Sequence, residues 1–132
     1  MIEQYLREWV ISDPAISGII GTRMYPQFVP ENAAVPAIAY SMVSDQATMI
    51  MTGPASVRNP RIQLSIVAKT QPAVSDLAEK LKVRINSWNQ LYPDMKVESC
   101  FAEGGVYLSL DYYTPPQFGM IIEAFLNWYP IS

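Results

Sequence analysis

The chain has 132 residues, with 9 Lys and Arg against 12 Asp and Glu, one Cys and no His. It is 50% hydrophobic and only 16% charged, which excludes a disordered chain, and its length suits one domain that buries roughly two-thirds of its unfolded surface. Lacking His, it holds no Ser-His-Asp triad, Cys-His pair or His metal ligand; lacking a second Cys, no internal disulfide; and at net charge −3 it is poorly suited to gripping nucleic acid by its phosphates.

Acidic residues interrupt the N-terminal segment, so it does not read as a targeting signal. The apolar runs fall far short of the roughly 18 residues of a membrane span, and no membrane association is expected. Ile2, Tyr5, Leu6, Trp9 and Val10 recur on one face of an amphipathic helix. Ser12-Asp13-Pro14 then supplies a cap and a proline at a first helical position, predicting a short second helix through Ile19. Thr22 to Pro36 has little periodicity and reads as an extended connection laid across the core. Ala37 to Val43 reads as a first strand. Arg61 to Lys69 is a second, with Ile62, Leu64, Ile66 and Ala68 facing one way and Arg61, Gln63, Ser65 and Lys69 the other. Ser44 to Pro60 between them is long for a hairpin connection.

Thr70-Gln71-Pro72 opens the longest helix, about 72–88, whose apolar stripe is Val74, Leu77, Ala78, Leu81, Ile85 and Trp88. Asp76, Lys80 and Arg84 stack on another face. Beyond it, Val97, Ser99 and Phe101 alternate with Glu98, Cys100 and Ala102. Glu103-Gly104-Gly105 reads as a tight turn, with Val106, Leu108, Leu110 and Tyr112 as the return strand. Thr114-Pro115-Pro116 breaks that strand, Gly119 lets the chain turn back, and Met120 to Trp128 alternates as a final strand. The expected fold is α+β: a single domain over 1–132, with about five mainly antiparallel strands packed against an N-terminal helix and one longer helix. A long arm separates the first two strands. Leu64, Ile66, Leu77, Leu81, Ile85, Leu108 and Leu110 are expected in the core.

Few residues carry a chemical signal. Asp111 alternates with apolar neighbours and reads as a solvated or interface carboxylate. Cys100 has no cationic neighbour to lower its pKa and reads as a packed thiol. Gly104-Gly105 lacks the strand–helix context and Lys of a phosphate loop. Lys80, Lys82 and Arg84, offset by Asp76 and Glu79, read as a solvated helix face. No catalytic residue, metal or cofactor is expected. The segment with an awkward composition is Met49-Ile50-Met51, large apolar residues in the middle of a long connection. They either fold back on the chain's own core or bury against another chain. On the second reading the arm from Asp45 to Asn59 is an assembly element, with Met49, Ile50 and Met51 in a groove and Arg58 at its rim.

Several stretches together resemble the tail-completion, or tail-terminator, proteins of long-tailed bacteriophages and prophages. They are Ser12-Asp13-Pro14 after a short helix, Gly21-Thr22-Arg23-Met24-Tyr25-Pro26, Val35-Pro36-Ala37-Ile38-Ala39-Tyr40, Thr52-Gly53-Pro54 and Arg61-Ile62-Gln63-Leu64-Ser65, in that order and spacing. Thr114-Pro115-Pro116 departs from the more polar turn of the family. The resemblance implies a structural virion protein, not an enzyme: a ring, typically a hexamer, on the head-proximal end of the tail tube. Its implied partners are further copies of itself, the major tail tube protein and the head-completion or connector protein, with DNA only as cargo passing through the lumen. Two alternatives remain at this point. One is another head–tail connector or minor tail component; the other is a small-molecule-binding α+β domain using Asp111, Glu98 or Tyr40.

Overall fold

Helical stripes and strand alternation both organise the computed structural model, which describes residues 2–30, 33–49, 56–110 and 117–130. The first helix, α1 (Ile2–Ile11), buries Ile2, Leu6 and Val10. The second, α2 (Pro14–Ile20), starts at Asp13, whose carboxylate accepts from Ala15 N at 3.1 Å, and has Pro14 where a missing N–H costs nothing. Gly21, at φ 60°, ends it. The third, α3 (Gln71–Asn86), is capped by Thr70, whose hydroxyl accepts from Ala73 N at 3.3 Å, and buries Val74, Leu77, Ala78, Leu81 and Ile85. Trp88 lies just beyond it and is also buried.

Among the described residues six strands form one sheet: β1 (Met24–Pro26), β2 (Ala37–Met49), β3 (Ser56–Ala68), β4 (Gln90–Leu91), β5 (Met95–Leu110) and β6 (Gln117–Pro130), in the order β1-β2-β3-β6-β5-β4. β1 runs parallel to β2, and every other pair is antiparallel. The helices cover one face. Ile62, Leu64, Ile66 and Ala68 of β3 and Met120, Ile122, Ala124 and Leu126 of β6 meet the stripes of α1 and α3 in one hydrophobic core. Two arginines bind this layer to neighbouring backbone. Arg7 donates to Met24 O (2.9 Å) and Thr22 O (3.0 Å), and Arg23 donates to Pro36 O and Ile19 O (2.9 Å each).

Four expectations are corrected. The connection from Thr22 to Pro36 contains β1, where Met24, Tyr25 and Pro26 pair with Ile38, Ala39 and Tyr40. The presumed arm is largely ladder: after a bulge between Met42 and Ser44, pairing continues from Ser44↔Arg61 to Met49↔Ser56. Gly104-Gly105 is not a hairpin turn. Glu103 and Val106 both pair with β6, opposite Glu123 and Ile121, so the glycines form a bulge inside one long strand. Their φ values of 92° and 150° explain why glycine stands there. Gly119 does not turn the chain either; it sits within β6, paired with Val67 and Leu108. The bulge shifts the alternation of β5, so Tyr107 rather than Leu108 stands opposite buried Met120. The side chains of Leu108 and Leu110 lie outside the described residues.

Leu81 is fully buried in the helix–sheet interface. Leu81→Ala should cost roughly 2–5 kcal/mol in a denaturant titration, the usual range for a buried leucine; a loss under about 1 kcal/mol would mean the interface does not depend on it. Burial pushes the Cys100 thiol up to about 12. A raised thiol pKa stabilises the fold fully below the unfolded thiol's range near 8.5, and that contribution is lost as pH climbs toward 12. At pH 8 a thiol reagent should therefore label Cys100 only after unfolding; rapid stoichiometric labelling of the native protein would contradict this placement.

Candidate assembly surface

The sequence singles out Met49, Ile50, Met51 and Arg58, and of these the structure places Met49 and Arg58 toward the far end of the β2–β3 ladder. Met49 is the last residue of β2, paired with Ser56. Ile50 and Met51 lie outside the described residues. Arg58 lies within a strand. It is a β3 residue paired with Ala47 on one side and Trp128 on the other, and its guanidinium lies over the Trp128 ring, 6.0 Å from the centroid. That distance is the outer limit of a cation–π contact. Trp128 is half-buried, and its indole Nε1 is buried with no hydrogen-bond partner among the described residues.

A second feature escapes sequence alternation. Val97, Ser99 and Phe101 alternate in the sequence as one face, but a bulge between Val97 and Ser99 splits them. Val97 and Cys100 turn to the core while Phe101 is left 51% exposed on the outer face. There it stacks on Phe125, with centroids 5.0 Å apart and planes 18° from parallel. One step along, Arg61 and Glu123 approach to 3.8 Å with both side chains more than a third exposed, a pair of small energetic weight. The outer face thus presents an aromatic pair beside opposite charges. Only the position of the bulge could have revealed it, and no residue pattern marks that bulge.

The residues of the small-molecule alternative are not brought together. Tyr40 is buried in β2, and Glu98 is exposed on β5, two strands away across β3 and β6. Asp111 lies outside the described residues. Among the described residues no three His, Cys, Asp or Glu side chains gather. A shallow groove of about 260 Å³ between α2 and α3 is lined by Asp13, Ala15, Glu79, Lys80 and Val83. Lys80 is occupied there by Asp76 at 2.9 Å.

Comparison with known proteins bears on this surface. No curated protein matches the sequence. In the solved structures, a chain of the virion of a native gene transfer agent (GTA) particle has a similar fold, with a TM-score of 0.65 at 8% identity. The similarity covers 92% of this chain and 91% of that one, and at such identity it speaks for the fold alone. The family described as tail completion protein gp17 matches residues 4–104. That span takes in most of α1, all of α2, α3 and β1 to β4, and the first part of β5, and the chain accordingly belongs to the tail completion protein gp17 family.

Proposed function

We propose that this protein is a structural component of a phage-type virion tail, forming a ring of about six copies on the head-proximal end of the tail tube. The ring ends tube polymerisation and offers its other surface to the head connector. The observation that carries the reading is the family match over residues 4–104. The fold supports it with a β2–β3 hairpin that continues beyond the part of β2 covered by β1. Composition supports it as well: six copies at −3 each carry −18 formal charges, and an acidic ring lets DNA slide through instead of holding it. No catalytic step is assigned, because the role needs none.

Within this reading the far end of the hairpin is the principal assembly element. Met49, Ile50 and Met51 bury against a neighbouring subunit or the tube, each contributing roughly 1.5–3 kcal/mol before ordering costs. Arg58, held over Trp128, ties the far part of the hairpin to β6. The test is Met49→Asp combined with Met51→Asp, followed by a melt, sizing and a tail-assembly assay. The expected variant melts like the wild type, fails to form rings and leaves tails of uncontrolled length. A folded double variant that still forms rings and still ends tails at normal length would overturn the assignment.

A further inference from the structure

The two sides of the sheet are finished differently. Along the outer edge of β5, β4 pairs with Lys96 and Val97, Asn89 Nδ2 donates to Glu98 O at 3.0 Å, and Ala102 N donates to Asn86 Oδ1 at 2.8 Å. The end of α3 and the segment after it therefore cap this edge as far as Ala102. From Glu103 to Leu110, no strand among the described residues lies along it. Along the outer edge of β2, β1 covers only Ile38 to Tyr40, and Gln27 N donates to Tyr40 O at 2.8 Å. From Ser41 to Met49, again among the described residues, that edge has no neighbouring strand. A row of unpaired amides and carbonyls is a template for another strand.

The direction of the backbone groups follows from the bonds that are made. Ile38 N donates to Arg23 O and Tyr40 O accepts from Gln27 N, so even-numbered residues of β2 address the outer edge before the bulge. The extra residue, Val43, passes that role to Asp45, Ala47 and Met49. On β5, Glu98 O and Ala102 N address the outer edge, and the bulge at Gly104-Gly105 passes the role to Tyr107 and Ser109. Three antiparallel steps separate β2 from β5, so the two strands run in opposite directions. Set side by side across two copies, they form an ordinary antiparallel pair. The open stretches are of nearly equal length. Each lies at the end of its strand away from the short covering strand, β1 or β4, so a staggered approach brings them together without those strands colliding.

We propose that the Ser41–Met49 edge of one subunit pairs antiparallel with the Glu103–Leu110 edge of a second copy, continuing the sheet head to tail from subunit to subunit. This rests on the ring reading above and names its joint. A heterologous contact of this kind builds a ring when the rotation between subunits closes, as the ring reading requires, whereas two β2 edges meeting about a twofold axis would stop at a dimer.

The test uses the full chain with Asp45→Cys, Ser109→Cys or both, and a short thiol-bridging reagent; the native Cys100 is buried and serves as the unmodified control. The double variant should give a ladder of crosslinked species ending in a closed ring. Mixing the two single variants should give only mixed dimers, and neither alone should crosslink. In parallel, Ala47→Pro removes one outward N–H at an edge where proline is sterically tolerated. It should raise the concentration for half-assembly at least about tenfold without lowering the melting temperature. Crosslinks between two Asp45→Cys chains, or a folded Ala47→Pro variant that assembles like wild type, would overturn the pairing. Should Ala47→Pro not fold, the crosslinks decide alone. Rings of the double-cysteine variant that give none of these crosslinks would remove the pairing and leave the ring standing. A wild type that stays monomeric even with tail tube protein would remove both.

Discussion

The helical layer depends on the contact between Arg84 and Trp9. The Arg84 guanidinium lies 3.6 Å from the Trp9 ring centroid, and its Nε donates to Trp9 O at 2.9 Å. In return Trp9 Nε1 donates to Arg84 O at 2.9 Å, and Arg84 Nη2 reaches Ser12 Oγ at 2.8 Å. A flat, forked cation is needed, since it must stack on a ring and direct hydrogen bonds from its edge together; a lysine ammonium cannot do both. This clasp sets α1 against α3. Around it, Trp9 stacks near Trp88, Trp88 meets Tyr92 edge to face and donates to its hydroxyl at 3.1 Å, and Tyr92 stacks on Tyr5 with centroids 4.0 Å apart. Tyr5 in turn donates to Asp94 at 2.7 Å, a bond to a carboxylate that raises its phenol pKa. The chain leaving α3 is thus tied back to α1 before it enters β5.

That arrangement shows which parts of the structure are legible in the sequence. The stripes of α1 and α3 and the alternation of β3 and β6 are local patterns, and the buried residues they name are the ones that fill the core. Arg84 was legible only as the third member of a stack with Asp76 and Lys80. Lys80 does pair with Asp76, but Arg84 serves a tryptophan 75 positions away, and no spacing rule connects them. β1 is too short to carry a period and owes its existence to its parallel pairing with the start of β2.

The bulges mark a different limit. Gly104-Gly105 has the composition of a hairpin turn, and a pair of glycines allows either a turn or a bulge. The choice is made by β6, which lies alongside both flanks at once and holds the strand extended. A bulge moves every later residue to the opposite face, so the small local ambiguity carries forward to Phe101, after the bulge at Val97, and to Tyr107, after the glycines. For the candidate assembly surface the consequence is direct. The apolar triplet is visible by composition, while the exposed aromatic pair and the open edges exist only through register.

The position of β6 carries a consequence for synthesis. It follows every other described element, yet it lies between β3 and β5 and pairs with both along most of its length. While a ribosome is still making the chain, β2–β3 and β4–β5 are separate hairpin-like pieces with no sheet between them. Only when 117–130 emerge can the two halves be joined, a step dominated by contacts distant in sequence and therefore slow. Until that segment has emerged, each nascent chain holds two half-sheets in place of one finished sheet.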